Sequence, residues 1–354
     1  MRHSHHLRVI TVLLGAFAAS TMPIAAAERG IPELFAEVNS AVVEITTVQQ
    51  VVSPEGQVRK VRAGSLGSGF LIANDGRIMT AAHVVQVADE VTVRFVTGEE
   101  VRARIVASAP SADLALIQAE SVPDGISSAR LGNSDTARVG DRVFVVGAPL
   151  GKSHSLTVGH LSARRTPDQL FGGFERVELL QTDAAINIGN SGGPMFNMNG
   201  EVIGVVSHIL SSSGGSQGLG FVVTSNLAMR VLIDDPTPWS GLDGVLVRDE
   251  MARVFNVPQR MGVLVEHVAA GSPAAGLGIR AGTMTATIED QQLTVGGDII
   301  LAINGIMIGS PDFDARIDGV IRSLSGDDRL TVRVLRNGEV VELSRLASSI
   351  GYAE

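Results

Sequence analysis

Residues 189–194 read Gly189-Asn190-Ser191-Gly192-Gly193-Pro194, a run in which three glycines surround one serine. Glycine lets the backbone adopt positive φ and approach another chain segment closely. The run is too rich in glycine for a packed helix or strand, so it predicts a turn that presents the serine hydroxyl and leaves nearby N–H groups able to face an oxyanion. Taken alone, it is also compatible with a plain tight turn.

A histidine and an aspartate precede this turn in an order that fits a nucleophile, base and orienting acid. His83 follows Thr80-Ala81-Ala82, and Asp113 precedes the apolar run 114–117. A carboxylate entering an apolar strand is costly unless it is paired, and a histidine would pair with it. Asp89 and Asp141 are weaker candidates because both lie in polar turn sequences.

We therefore predict that Ser191 is the nucleophile, His83 the general base and acid, and Asp113 the residue that orients His83. Backbone N–H groups of Gly189, Asn190 and Ser191 would form the oxyanion hole. His83 alone would also suit a surface position at a helix start. The remaining histidines of the folded part lack a matching serine and acid and are interpreted as ordinary strand or loop residues: His154, His160, His208 and His267.

Composition narrows the functional classes. The chain has 354 residues, of which 45% are hydrophobic and none is cysteine, so it can bury two or three cores and has neither disulfides nor thiolate metal ligands. Removing residues 1–27, with two arginines and no acid, changes the net charge from −9 to −11. An acidic chain without a basic block is a poor nucleic-acid binder.

The N-terminus predicts export. Arg2 and Arg8 precede an apolar run at 9–19, and Ala25-Ala26-Ala27 forms a small-residue cleavage pattern. These features are typical of a signal peptide over 1–27, with an uncleaved membrane anchor as the alternative.

Short runs rich in valine and isoleucine recur between residues 41 and 232, separated by turn-forming residues. This spacing favours an all-β sandwich or a pair of barrels, the latter over roughly 40–120 and 138–233. A polar, proline-containing segment at 234–239 predicts a linker. Residues 240–346 then predict a small α+β domain with four strands and one amphipathic helix after Pro311, followed by a tail at 347–354.

The combined motifs resemble the HtrA/Deg family of trypsin-like serine proteases over residues 30–346. The matching segments include Gly-Ser-Gly-Phe-Leu-Ile at 67–72, Gly-Ala-Pro-Leu at 147–150, and Gln-Thr-Asp-Ala-Ala-Ile-Asn at 181–187. The resemblance implies a mainly β, chymotrypsin-like double barrel at 28–233 with the active site between the barrels. It also implies a periplasmic homotrimer or higher oligomer that degrades unfolded or mislocalised envelope proteins without ATP, metal or cofactor.

Within that resemblance, the specificity pocket would involve Ala185, Ile186 and Ile188. The position about six residues before the serine, which holds an acid in the trypsin branch, is Ala185, so an apolar, shallow pocket would favour small aliphatic side chains over lysine or arginine. Arg164-Arg165 with 166–174 and the serine-rich run at 211–216 match the family's regulatory loops. Solvated surface loops are the alternative.

Residues 240–346 resemble a PDZ domain, which binds a peptide C-terminus as an added strand. Its carboxylate-binding loop would be Leu242-Asp243-Gly244-Val245, although Asp243 would repel a ligand carboxylate. The insertion 279–295 departs from the simplest PDZ pattern. The alternative role for this domain is that of a packing or oligomer module that binds no peptide. For the whole chain, a holdase or scaffold and a membrane-anchored regulatory protease remain alternatives to a general endopeptidase.

Overall fold

The computed structural model describes residues 29–52, 58–148, 154–165, 177–209, 215–288 and 291–352. Two expectations fall outside these ranges: the leader at 1–27, and most of the two regulatory loops. Among the described residues, no helix combines the length and apolar character that a membrane span requires.

Residues 42–119 form a closed barrel whose strands follow the order β1-β2-β3-β6-β5-β4. Helix α1 (Ile31–Val38) precedes it and begins with a proline in its first turn. The short helix α2 (Ala82–Val85) follows β3. The six antiparallel strands are β1 (Val42–Val52), β2 (Val58–Leu71), β3 (Arg77–Thr80), β4 (Glu90–Arg94), β5 (Glu100–Ala109) and β6 (Leu114–Ala119).

A second barrel closes through pairing of β11 with β12 and carries the short strand β7 (Arg130–Leu131) at one edge. Helix α3 (Ser225–Met229) follows it and continues into a wider helical turn, Arg230–Asp234. The six strands of the second barrel are β8 (Arg142–Gly147), β9 (Ser155–Arg165), β10 (Leu179–Thr182), β11 (Pro194–Asn197), β12 (Glu201–Ile209) and β13 (Gly220–Thr224). The double barrel inferred from the family resemblance is therefore confirmed.

One hydrophobic cluster joins the two barrels. It contains Phe70 and Leu114 from the first barrel and Phe144, Phe196 and Phe221 from the second. The rings of Phe144 and Phe196 stack with centroids 5.1 Å apart. Because burial of such side chains is worth roughly 2 kcal/mol each, this shared core fixes the two barrels against one another and hence the cleft between them.

The C-terminal domain has a sheet in the order β14-β15-β18-β20-β21, with β14 at one edge. Helices α4 (Asp249–Val254), α5 (Pro273–Leu277) and α6 (Phe313–Ser323) accompany it. The insertion at 279–295 contains an additional hairpin of β16 (Met284–Ile288) and β17 (Gln291–Val295). The remaining strands are β14 (Leu242–Arg248), β15 (Met261–Val268), β18 (Ile299–Ile303), β19 (Ile306–Met307), β20 (Arg329–Arg336) and β21 (Glu339–Leu346).

Hydrogen bonds tie this domain to the first barrel around Gln86, which follows α2. The Gln86 side chain donates to the Leu242 carbonyl at 2.8 Å and accepts from the Ser108 hydroxyl at 2.6 Å. The Trp239 indole N–H donates to the Gln86 carbonyl at 2.8 Å. A further bond joins the Ala270 N–H to the Asp89 carboxylate at 2.7 Å. The segment predicted as a linker is thus bonded to the barrel along part of its length.

Candidate active site

His83 and Asp113 meet at the end of the first barrel. Asp113 lies in the left-handed region at φ 53°, after a short 3-10 turn and directly before the buried strand β6. His83 lies on α2, and its Nδ1 is 2.8 and 2.9 Å from the two carboxylate oxygens. The His83 backbone N–H also donates to Asp113 at 3.1 Å. The structure therefore brings together the predicted base and its orienting acid.

This pairing determines where the imidazole proton lies. An ionised carboxylate only accepts hydrogen bonds, so Nδ1 of His83 carries the proton and Nε2 is left as the basic nitrogen. Burial alone would lower the pKa of His83, but the hydrogen bond to Asp113 and its charge outweigh burial and raise it. Burial raises the pKa of Asp113, yet its bonds to His83 and Ser207 and the charge of His83 together lower it.

Ser191 lies on a turn that is pressed against the first barrel. Its carbonyl accepts from the Ser68 N–H at 2.8 Å. Gly192 has φ +82°, and a Cβ there would come within 2.2 Å of the Thr80 hydroxyl. The Ser191 hydroxyl contacts the Ser207 carbonyl at 3.4 Å. Ser191 and His83 line the same cavity of about 400 Å³, but no hydrogen bond joins their side chains among the described residues.

The predicted oxyanion hole needs one correction. A turn runs from Asn187 to Asn190, and its third residue, Gly189, has φ +100°, as a type II turn requires. The N–H of Asn190 donates to the Asn187 carbonyl at 3.0 Å, so it is already engaged. Within the described ranges, the N–H groups of Gly189 and Ser191 have no acceptor. These two groups are the available pair.

Sequence reasoning missed Ser68, which is fully buried on β2. Its hydroxyl donates to the Gly189 carbonyl at 2.6 Å and accepts from the Ala148 N–H at 2.9 Å. The Thr80 hydroxyl donates to the Ser68 carbonyl at 2.7 Å. Ser68 therefore connects the first barrel with the turn that carries Ser191.

The cavity wall agrees with two of the three residues predicted for the specificity pocket. Ile186 and Ile188 line it, whereas Ala185 is exposed and does not. Ala185 does not line the cavity because its neighbours Ala184 and Ile186 are buried, and the backbone turns the side chain between them to solvent. A Cβ at Gly220 would lie 2.6 Å from Ile186 Cδ1. Ile186 therefore packs against Gly220 and contributes an apolar side chain to the cavity wall.

Two residues at the end of β12 were not recognised from the sequence. The Ser207 hydroxyl donates to Asp113 at 2.5 Å, and His208, interpreted as an ordinary strand histidine, lines the cavity beside His83. Ser207 is 3% exposed and directly follows the run Val-Ile-Gly-Val-Val at 202–206 of this strand. A buried hydroxyl there needs a partner, which is the signal that could have revealed it. His208 carries no comparable sequence signal.

The predicted carboxylate-binding loop of the C-terminal domain is strand in the structure. Residues 242–245 form the first part of β14 and pair with β15, with a register shift between Asp243 and Gly244. The Asp243 carboxylate is 3.9 Å from Nδ1 of His267 on β15. The difference arises because the backbone of these residues pairs with β15, and a pairing partner on another strand cannot be read from the local sequence.

Comparisons with known proteins agree with this architecture. The family described as trypsin-like peptidase domain matches residues 67–205, and the PDZ domain family matches residues 218–345. The second match begins within the double barrel, since β13 pairs there with β10 and β12.

Curated relatives are described as probable periplasmic serine endoproteases, DegP-like. The protein from Pseudomonas fulva (strain 12-X) is 35% identical over 290 residues, covering 80% of this chain and 58% of the relative. The protein from Pseudomonas putida (strain W619) is 35% identical over 319 residues, covering 88% and 60%. The chain thus spans about three fifths of the length of these relatives.

Solved structures give the same result for the whole fold. The HtrA-type protease AlgW with decapeptide is 28% identical, with a TM-score of 0.51 over 90% of this chain and 98% of that one. The same protease with tripeptide matches with a TM-score of 0.51 and covers 96% of that chain. With a trypsin-like double barrel followed by a PDZ domain and these relatives, the chain belongs to the HtrA/Deg family.

Proposed function

We propose that the protein is a serine endopeptidase in which Ser191, His83 and Asp113 form the catalytic triad. The observation that carries this proposal is the His83–Asp113 pair, which leaves Nε2 of His83 as a base in the cavity that Ser191 also lines. A serine hydroxyl is a weak nucleophile at neutral pH, so a positioned base is the feature that would make Ser191 reactive.

The proposed reaction follows from these positions. Ser191 Oγ attacks the scissile carbonyl while Nε2 of His83 removes its proton, and the N–H groups of Gly189 and Ser191 stabilise the oxyanion. His83 then protonates the leaving amine, and an acyl-enzyme remains. Water, deprotonated by His83, hydrolyses it and regenerates the serine. The Ser191 hydroxyl, now directed at the Ser207 carbonyl, must rotate toward His83 to react.

The cavity supports cleavage after small aliphatic residues. Ile186 and Ile188 form an apolar wall, and none of the described residues that line the cavity is an acid that could receive a lysine or arginine head group. Transfer of an unpaired charge into such a site is costly. Mapping the cuts in an unfolded protein by mass spectrometry tests this preference, and predominant cleavage after basic residues would contradict it.

The C-terminal domain supports capture of peptide C-termini. Strand β14 lies at the edge of its sheet, so an extended peptide can pair with it through backbone hydrogen bonds. Fluorescence anisotropy with one peptide, carrying either a free or an amidated C-terminus, tests this proposal. Equal binding of the two forms would favour the packing or oligomer module instead.

Membership of the family supports three further proposals, on substrates, location and assembly. The proposed substrates are unfolded or mislocalised envelope proteins, the proposed location is the periplasm, and the proposed assembly is a homotrimer or a higher oligomer. Protein sequencing of the native N-terminus distinguishes release after residue 27 from anchoring, and light scattering gives the oligomeric mass.

A holdase is the second candidate, because the Ser191 hydroxyl contacts a carbonyl rather than the His83 base. Incubation of the parent and Ser191→Ala with an unfolded substrate, together with labelling by a serine-directed phosphonate, separates the two functions. Cleavage by the parent alone, with the label on Ser191, supports the peptidase. Equal protection of the substrate by both proteins, without labelling, supports the holdase.

A further inference from the structure

His208 lies next to the proposed triad and is connected to it by hydrogen bonds. It follows Ser207 at the end of β12, and its Nδ1 is 3.1 Å from the Ser207 hydroxyl. That hydroxyl donates to Asp113 at 2.5 Å, and Asp113 accepts from His83 at 2.8 Å. Two imidazoles are therefore connected to one carboxylate, one directly and one through a hydroxyl.

The hydroxyl of Ser207 has only one proton, which fixes the direction of this chain of bonds. Because Asp113 is ionised and can only accept, the Ser207 proton lies toward Asp113. With a proton on Nδ1 of His208, the 3.1 Å contact becomes a second hydrogen bond, which the Ser207 oxygen accepts. If that nitrogen lacked the proton, it would compete with Asp113 for the Ser207 hydroxyl proton.

The ring of His208 is held in this orientation by packing. It stacks on Phe221 of β13, with centroids 5.1 Å apart and planes 16° from parallel. The two residues are also paired in register across β12 and β13. Stacking of this kind restrains the plane of the ring, and within that plane Nδ1 faces the Ser207 hydroxyl.

We propose that His208 is a positioning residue: its Nδ1–H holds the Ser207 hydroxyl so that the hydroxyl keeps donating its proton to Asp113, which in turn orients His83. This inference rests on the proposed peptidase function for its effect on turnover. The hydrogen-bonded chain itself is a property of the folded protein and is measurable without substrate.

Among the described residues, the charged groups that shift the pKa of His208 are Asp113 and His83. Burial lowers the pKa of His208, the charge of Asp113 opposes this, and the charge of His83 adds to it. The other elements around the ring contribute uncharged residues: Phe221 from β13, and Ile186, Asn187 and Ile188 from the segment before Ser191. His208 therefore stays neutral at pH values where His83 is still protonated, and donates from Nδ1 in its neutral form.

Two substitutions distinguish the contribution of the Nδ1–H donor from that of ring packing. His208→Phe keeps an aromatic ring for Phe221 and removes the donor, whereas His208→Asn removes the ring and keeps an N–H donor close to the Nδ1 position. Without the donor, Asp113 has a weaker hydrogen bond and becomes more basic, so the pKa of His83 rises. His160→Phe, on the exposed face of β9, is the matched control.

The test measures the pH dependence of kcat/KM and the NMR titration of the His83 ring in the parent and the variants. We expect His208→Phe to raise the apparent pKa of His83 by about half a unit and to lower kcat by roughly 3- to 10-fold with a smaller change in KM. His208→Asn should restore both values toward those of the parent, and His160→Phe should change neither.

Other outcomes overturn the proposal. An increase in KM without a shift in the His83 titration would mean that His208 acts by lining the substrate site and not through His83. Equal losses in His208→Phe and His208→Asn, with lowered Tm in both, would make its role structural. If the parent itself cleaves no substrate, the peptidase function fails, while the NMR titration still decides whether His208 acts on His83.

Discussion

At the scale of single residues, the site depends on backbone conformations that few side chains adopt. Asp113 lies at φ 53°, a conformation aspartate tolerates better than most residues. It directs the carboxylate back toward α2, where both its oxygens lie within hydrogen-bonding distance of His83. Gly189 lies at φ +100°, where a Cβ is strained. The chemistry of the site therefore depends on these two positions as much as on the nucleophile.

The His83–Asp113 pair predicts the pH dependence of activity. Since the pKa of His83 is raised above its usual value near 6.5, kcat/KM should fall as pH drops through that raised pKa. Asp113, with a lowered pKa, remains ionised throughout. A pH–rate profile with a peptide substrate measures this. An acid limb lying below the value of a free imidazole would contradict the assignment.

The same pair predicts how stability changes with pH. The raised pKa of His83 stabilises the fold fully below its unfolded pKa, and this contribution is lost as pH rises through the folded pKa. The lowered pKa of Asp113 stabilises the fold above its unfolded pKa, and this is lost as pH falls through the folded value. Urea unfolding of the parent and His83→Phe across this range should show the difference between them shrinking toward alkaline pH.

Gly189→Ala should reduce kcat by about 100-fold with little change in KM. Alanine disfavours φ +100°, and a type I turn, in which the 188–189 peptide is rotated, becomes the lower-energy alternative. One oxyanion donor is then turned away. Gly140→Ala is the control, because Gly140 has φ +96° and no atom within 4 Å of an added Cβ. Equal kcat losses in both variants would indicate a general effect on folding.

At the scale of elements, contacts between distant strands shape the site. The Ser191 turn follows β10, yet it is held by Ser68 on β2 and by the end of β12. The sequence predicted the serine turn, the base and the acid, because each has a local motif. It could not predict Ser68 or His208, because their roles arise only when segments more than 90 residues apart are brought together.

The strands themselves were predictable to different extents. β6 contains the apolar run noted at 114–117, because consecutive apolar residues suit a buried strand. β5 was missed because charged residues interrupt Glu100–Ala109, and its pairing with β4 and β6 stabilises it instead. The insertion at 279–295 gave no strand signal strong enough to predict the β16–β17 hairpin.

Ser68→Ala should lower kcat by about 10-fold and the free energy of unfolding by roughly 1–3 kcal/mol. It leaves the buried Gly189 carbonyl and Ala148 N–H without their shared partner. Ser134→Ala is the matched control, since Ser134 is also fully buried and accepts from the Asn226 N–H at 3.2 Å. A control with the same loss of kcat would show that stability alone accounts for the effect.

At the scale of the whole molecule, the peptidase and PDZ domains meet beside the helix that carries His83. Gln86, three residues after His83, is 6% exposed and bonds both Ser108 of the first barrel and Leu242 of β14. The strand proposed to bind peptides is thus one side chain away from α2. A single buried amide therefore links β14 to the segment that follows α2.

Gln86→Leu should loosen this junction, because it removes the side-chain bonds to both domains and leaves the Leu242 carbonyl without its donor. Calorimetry should resolve two unfolding transitions where the parent shows one. Asp89→Ala, which removes the separate bond to Ala270, should act in the same direction. A single unchanged transition in both variants would mean that apolar contacts hold the domains together.

Trp239 is the single tryptophan of the chain, and its indole N–H is bonded to the Gln86 carbonyl at the boundary between the domains. Its intrinsic fluorescence therefore originates from this boundary alone. Opening of the junction would expose the indole to water and shift its emission to longer wavelength. The protein thus carries a built-in optical reporter, with which domain separation can be followed in real time without attaching a dye.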